Sequence, residues 1–499
     1  MTSAPAPAAS AEPPSEHLDR FYIGGEWVRP SSDDRIQVVM PSTEQAYITV
    51  AEAREADVNR AVAAAREAFD HGPWPRMGVA ERAGYLRRIS QEIDRRGDLL
   101  ARLWTGETGA LFSMTSAAFA AGQDEFARNA ALADTFPFVE RHRPLGGGET
   151  GLLVREPVGV VGAIIPWNGP FFSIGVKCAP ALLAGCTIVL KSSPEGPGDA
   201  YVMAEIAEAV GLPPGVLNVI TADRAVSEAL VRHPDVDKIT FTGSTAAGRR
   251  IGALCGERIA RCTLELGGKS PGVILDDYDV ETAARTIAAV TPLMTGQVCS
   301  ALTRVIVPRH RHDDFVDALA ASMSAVKVGD PFDPASGMGP LAMARQRDRV
   351  EGYIAKGVAE GAHLAAGGGR PRHLDRGFYV EPTVFARVDN AMTIAREEIF
   401  GPVLSVIPAD DEEQAIAIAN DTPYGLNASV FTNDPERAYR VARRIRAGTV
   451  GHNIWRTDFS IAFGGFKQSG IGREGGSEGL HHFLEPKTVI LEGKLAAVD

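Results

Sequence analysis

Between residues 158 and 241 the sequence carries four short apolar runs, at 158–165, 187–190, 216–220 and 238–241, each separated by a helix-length stretch. Runs of this kind read as strands buried on both faces, and strands that alternate with helices read as βαβ units of a parallel sheet. The fold class that follows is α/β. A second series at 272–275, 304–307, 403–407 and 429–431 alternates with helical patterns such as 315–326 and 412–419, which predicts a second α/β domain. Glycine- and proline-rich joints at 329–334 and 367–369 read as loops within it.

The chain ahead of these strands is predicted to be largely helical. Val58, Ala61, Val62, Ala65 and Phe69 recur at helical spacing behind Asp57, which is expected to cap the helix, and similar patterns run over 80–103 and 113–136. Residues 1–15 are poor in bulky apolar side chains and are expected to be a disordered tail, with structure starting near Phe21. A length of 499 residues suggests two to four domains.

Charge and cysteine content narrow the function. A net charge of -12 argues against a nucleic-acid partner, whose phosphates need clustered Lys and Arg. Five cysteines with no CxxC pair suggest neither a disulfide framework nor a metal site, and fit a reducing compartment. The apolar segments 158–166 and 179–190 are too short or too broken by glycine to span a bilayer, and the N-terminus does not read as a secretory signal. The expectation is a cytoplasmic protein with no membrane partner.

Several residues carry chemistry. Cys299 stands in Gly296-Gln297-Val298-Cys299-Ser300, among small and polar neighbours. A free cysteine is more often a small buried hydrophobe, and an unperturbed thiol is only about 3% thiolate at pH 7, so this one needs partners to serve as a nucleophile. Glu265 lies among apolar residues before Gly267-Gly268, where burial raises a carboxyl toward the range of a general base; a satisfied structural Glu is the alternative. Asn168 follows a strand within Pro166-Trp167-Asn168-Gly169-Pro170 and can donate to an oxyanion. The turn from Phe241 through Gly243 and Ser244 to Gly248 leads a strand into a helix whose N-terminus can face a phosphate, with Ser244 as N-cap. Lys191, Ser193 and Glu195 follow another strand at its carboxyl edge, where ligands of open sheets bind; a solvated strand end is the alternative for the lysine.

Taken together these stretches resemble the aldehyde dehydrogenase superfamily over nearly the whole chain, from about Phe21 to Leu491. The family's Glu-Leu-Gly-Gly-Lys-Ser-Pro stands at 265–271, Gly-Gln-x-Cys at 296–299, Glu-Glu-Ile-Phe-Gly-Pro-Val at 397–403 and Phe-Gly-Gly-x-Lys-x-Ser-Gly-x-Gly-Arg-Glu at 463–474. Lesser matches are Pro166-Trp167-Asn168, 241–245, 327–331 and 423–426. The resemblance implies a Rossmann-like cofactor-binding domain, 18–137 with 159–266, and a second α/β catalytic domain, 267–484. Segments 138–158 and 485–499 would form a small β ribbon that assembles a homodimer or homotetramer, and 1–17 a tail.

The implied reaction is oxidation of a small-molecule aldehyde to a carboxylic acid. Cys299 would form a thiohemiacetal and then a thioester, Asn168 and the Cys299 N–H would hold the oxyanion, and Glu265 would activate water. Lys191, Ser244, Glu398 and Phe400 match positions that hold the adenine ribose, the pyrophosphate, the nicotinamide ribose and the nicotinamide side. Ile164, Pro166, Trp167, Ser193, Glu195, Phe241, Gly243, Leu266 and Gly267 complete the expected cofactor contacts. The cofactor is expected to be NAD, with NADP possible, because Pro194 stands where relatives often carry the ribose-binding Glu and Glu195 follows it. Ala462 replaces a proline common before Phe-Gly-Gly. Gly169 stands where many relatives carry an aromatic residue, so that wall of the substrate tunnel is expected to be wider. Phe172, Trp455, Phe459 and Phe463 are expected to line it, suggesting a bulky or apolar aldehyde. A coenzyme A-acylating semialdehyde dehydrogenase and a non-catalytic protein of the same fold are the alternatives. Glu265 counts against the first and the intact Cys299, Glu265, Asn168 and Glu398 against the second.

Overall fold

The structure, a computed structural model, describes residues 16–120 and 125–495. Most of the expected N-terminal tail and the last residues of the expected C-terminal assembly segment lie outside the described residues. Two large sheets dominate. The first has eight strands, five of them parallel: Arg261–Glu265, Lys238–Thr242, Val160–Ile164, Thr187–Ser192 and Leu217–Thr221, in that spatial order. Antiparallel strands close both edges, Gly470–Ile471 beside Arg261–Glu265, and Phe21–Ile23 with Glu26–Val28 beyond Leu217–Thr221.

Val160–Ile164, Thr187–Ser192 and Leu217–Thr221 are buried along their whole length because helices cover both faces. Val161 and Ala163 pack into one core with Leu86, Leu103, Ile174 and Met203, while their neighbours Val160 and Ile164 pack into the other with Val58, Val62, Leu230 and Ile251. Successive side chains of a strand point to opposite faces, so a strand covered on both sides must be apolar throughout. Each fully buried aliphatic side chain contributes about 1.5–3 kcal/mol, which makes the unbroken runs the main stabilising feature of this layer.

The second sheet has seven strands. Six are parallel, Thr383–Ala386, Val403–Ala409, Arg304–Pro308, Pro271–Ile274, Asn427–Phe431 and Thr449–His452, with His363–Ala366 antiparallel at one edge. The α/β class and its two sheets follow the sequence expectation. A third, antiparallel sheet joins Leu484–Leu491 to Thr150–Pro157 and Val139–His142 within the same chain.

Local details differ. The first helix is Glu55–Asp70, so Asp57 is not its N-cap but its third residue, and its carboxylate accepts from the Arg54 N–H at 2.9 Å in a capping-box arrangement. The pattern over 80–103 divides into helices Val79–Arg95 and Gly97–Thr108, and that over 113–136 contains helices Phe112–Ala120 and Glu125–Leu132. Among the described residues no helix is long and apolar enough to cross a membrane.

Candidate active site

The site lies where the two sheets meet. Strand Arg261–Glu265 ends at the carboxyl edge of the first sheet, and Leu266 to Ser270 lead straight into Pro271–Ile274 of the second. Cys299 precedes strand Arg304–Pro308 and Glu398 precedes Val403–Ala409, so both stand at the amino edge of the second sheet. The carboxyl edge of one sheet therefore faces the amino edge of the other.

The Cys299 loop is held from several sides. Met294 and Thr295 have φ of 47° and 57°, and Gly296 has φ of 71°, where a Cβ would stand 2.4 Å from the Gly401 carbonyl carbon. Such backbone persists only where surroundings over-determine it. Here Thr295 Oγ1 donates to the Gly339 and Pro340 carbonyls at 3.1 Å each, Gln297 Nε2 donates to the Met294 carbonyl at 3.0 Å, and the Ala342 N–H donates to Gln297 Oε1 at 3.0 Å. Trp455 Nε1 donates to the Ser300 carbonyl at 3.1 Å, which ties the indole to the residue that follows the thiol. Asn168 Nδ2 donates to the Gln297 carbonyl at 2.9 Å; an amide nitrogen carries two hydrogens, so one remains.

Glu265 approaches from the first sheet. The backbone of Gly268 touches that of Cys299 so closely that a Cβ there would stand 2.4 Å from the Cys299 carbonyl oxygen. Glu265 is buried and its Oε1 has no protein hydrogen-bond partner. Burial first, then the Glu474 carboxylate, pushes its pKa well above the ordinary carboxyl value, while Lys177 and Arg473 pull it back. Burial, followed by the Glu265 and Glu398 carboxylates, pushes the Cys299 thiol up. A carboxylate at Glu265 therefore discourages ionisation of the thiol.

Sequence reasoning missed two neighbours. Lys177, wholly buried on helix Pro170–Ala184, donates through Nζ to Glu474 Oε1. Glu474 and Phe463 exchange backbone hydrogen bonds at 2.7 Å, which joins this ion pair to the expected substrate wall. The available signal was a single lysine in the otherwise apolar stretch Ile174 to Pro180.

All the expected cofactor residues but Glu398 and Phe400, which precede a strand of the second sheet, gather at the carboxyl edge of the first, where strand order reverses between Val160–Ile164 and Lys238–Thr242; ligands of open parallel sheets bind at such switch points. Ile164 ends the central strand, followed by Pro166 and Trp167. Trp167 meets Phe400 edge to face with ring centroids 5.5 Å apart. Phe241 is buried on the next strand, the Gly243 N–H donates to the Glu265 carbonyl at 3.0 Å, and Ser244 caps helix Thr245–Glu257 through the Ala247 N–H. Leu266 accompanies Phe241 in the core. Glu398 accepts from the Gly268 N–H at 3.1 Å, beside Gly267, and burial raises its pKa to about 7.

Lys191 is buried with only a 3.5 Å contact from its Nζ to the Ala222 carbonyl, and burial lowers its pKa to about 8. Ser193 Oγ donates to Glu195, whose carboxylate also receives the Arg345 guanidinium. A helix N-terminus, an under-satisfied buried ammonium and a carboxylate at the far end fit the pyrophosphate and the two riboses of a dinucleotide.

On the substrate side, Phe172 meets Phe459 edge to face at 4.5 Å, and Phe459 stacks on Phe463 at 4.3 Å. A neighbouring cavity is lined by Ile93, Trp104, Phe119, Phe126, Phe171, Phe172 and Gly175, with Asp94 and Glu125 among its walls. Trp104 Nε1 donates to the Asn168 carbonyl at 2.8 Å, joining this apolar space to the oxyanion residue. A Cβ on Gly169 would meet nothing nearer than Trp104 at 3.8 Å, so that wall is open.

Fold and site thus define a two-sheet dinucleotide-binding protein with a thiol and a buried carboxyl at the cleft. Residues 27–489 match the model of the aldehyde dehydrogenase family. A geranial dehydrogenase of Castellaniella defragrans is 45% identical, over 95% of this chain and 98% of that one. A crystal structure of a Mycobacterium tuberculosis aldehyde dehydrogenase complexed with NAD+ is 47% identical with TM-score 0.92, covering 95% of this chain and 98% of that one. A mutant aldehyde dehydrogenase from Pseudomonas syringae, complexed with NAD+ and octanal, is 41% identical with TM-score 0.91, covering 96% and 98%. The chain belongs to the aldehyde dehydrogenase family, and it is an oxidoreductase acting on aldehydes.

Proposed function

We propose that the chain oxidises a bulky apolar aldehyde to its carboxylic acid with NAD, through a thiohemiacetal and then a thioester on Cys299. The observation that carries this reading is the contact of Gly268 with the Cys299 backbone, which sets Glu265 and the thiol on the two sides of one cleft. The Cys299 thiol gives its proton to water and its sulfur attacks the aldehyde carbon. The oxygen that gains charge is held by the Cys299 N–H and by the free hydrogen of the Asn168 amide. When bound, the nicotinamide ring accepts the hydride that leaves this carbon. Glu265, kept basic by burial, then takes a proton from the water that attacks the thioester, and the acid departs as sulfur regains a proton.

Cofactor roles follow the placement above. Lys191 and Ser193 face the adenine ribose, Ser244 and its helix the pyrophosphate, Glu398 the nicotinamide ribose, and Phe400 with Trp167 the nicotinamide side. Residues 18–137 and 159–266 supply most of these groups and 267–484 the catalytic loop, which supports that division of labour. The apolar character of the substrate is supported by Phe172, Phe459 and Phe463, by the open wall at Gly169, and by relatives whose names and ligands include geranial and octanal. Five free cysteines support a reducing, cytoplasmic setting.

The test is release of reduced nicotinamide with NAD and an aldehyde panel, with and without coenzyme A. Activity without coenzyme A, highest for long-chain or terpenoid aldehydes and abolished in Cys299→Ala, is the expected result. Full activity in that variant would overturn the nucleophile, and dependence on coenzyme A would overturn the hydrolytic step.

A further inference from the structure

The adenosine end of the cleft contains a bridge that the reaction does not require. Glu195, on the segment after strand Thr187–Ser192, accepts from Ser193 Oγ through one oxygen and from the Arg345 guanidinium through the other. Arg345 belongs to the first turn of helix Ala344–Ala359, which packs with the second sheet, so the bridge joins the two halves of the chain. Arginine is poorly placed in a first turn, where the helix dipole favours anions; this turn contains no acid, and its N-cap, Met343, supplies no side-chain cap.

We propose that Arg345 is a specificity-determining residue that lets this enzyme take NADP as well as NAD; the inference rests on the cofactor reading above. A carboxylate against the ribose excludes a 2′-phosphate by repulsion. Pro194 removes that carboxylate from its expected place, and the next one, Glu195, has its charge engaged by Arg345 and Ser193, which hold it below the usual carboxylate range against the effect of burial. Asp223, the other acid felt by Lys191, is turned to cap helix Arg224–Arg232 through the Val226 N–H at 2.9 Å. The Arg345 side chain is 69% exposed and has donors to spare beyond the one it gives Glu195. A 2′-phosphate arriving beside Ser193 would meet Lys191 on one side and the guanidinium on the other, and arginine binds such a group by parallel N–H donors.

The test separates the adenosine end from catalysis. Titration calorimetry on the resting full-length enzyme compares 2′,5′-ADP with 5′-AMP and NADP with NAD, and steady-state assays compare the two dinucleotides with one aldehyde. In the wild type, NADP is expected to bind and turn over within about tenfold of NAD. Arg345→Ala lowers the NADP to NAD ratio, and the 2′,5′-ADP to 5′-AMP affinity ratio, by tenfold or more; Arg345→Lys restores part of both. NADP binding more than a hundredfold weaker than NAD in the wild type, or an unchanged affinity ratio in Arg345→Ala, overturns the proposal. Absence of turnover with either dinucleotide would instead strike the cofactor reading itself.

Discussion

Cys299 and Glu265 both have raised pKa values, and in the proposed mechanism both act deprotonated, which fixes the sign of the pH dependence. Each group is protonated below its raised pKa, so kcat/KM falls as pH drops and climbs on the alkaline side of an ordinary carboxyl. Glu265→Gln removes the base but leaves the thiol: steady-state turnover should drop by about 10²–10⁴-fold while rapid mixing still shows one equivalent of reduced nicotinamide per site. Loss of that burst along with turnover would show that Glu265 acts before thioester hydrolysis. Cys299, Glu265 and Asn168 stood out in the sequence because each sits among neighbours suited to the proposed chemistry, whereas Glu398 stood out only through the family resemblance. Lys177 and Glu474 were not, because an ion pair between residues so far apart in sequence leaves no local pattern.

At the scale of elements, the long buried strands were legible because covering both faces demands unbroken apolar runs. The edge strands Phe21–Ile23, Glu26–Val28 and Gly470–Ile471 were not, since two or three residues carry no periodicity and their pairing is set by partners distant in sequence. Asp57 looked like a cap from sequence, yet Arg54 and the Ser31 hydroxyl, both of which donate to it, show that it ties a loop to the helix start. The helix Pro170–Ala184 begins beside Gly169, whose free side faces Trp104. Gly169→Phe should fill that space. The expected outcome, read from kcat/KM across an aldehyde series, is at least a tenfold loss for branched or long-chain substrates with little change for propanal. Equal losses for all chain lengths would place the substrate path elsewhere.

For the molecule as a whole, the three-stranded sheet leaves Leu484–Leu491 at an edge, with Ile490 exposed, and the turn at Leu145 standing fully in solvent. Apolar edges of this kind are normally covered. We expect light scattering to give a mass of two or four times 53.0 kDa, and a single-chain mass at micromolar concentration would contradict assembly through this sheet. The passage from Glu265 through Gly268 to Pro271 has another consequence. It stitches the two sheets together where the backbones of Gly268 and Cys299 touch, and Gly470–Ile471 adds a second stitch to the same strand. Glu195 and Arg345 join the same two halves of the chain at the adenosine end. The two halves are thus bound covalently beside the Cys299 loop and by an ion pair at Glu195, so Arg345→Ala cuts the second link and leaves the first untouched.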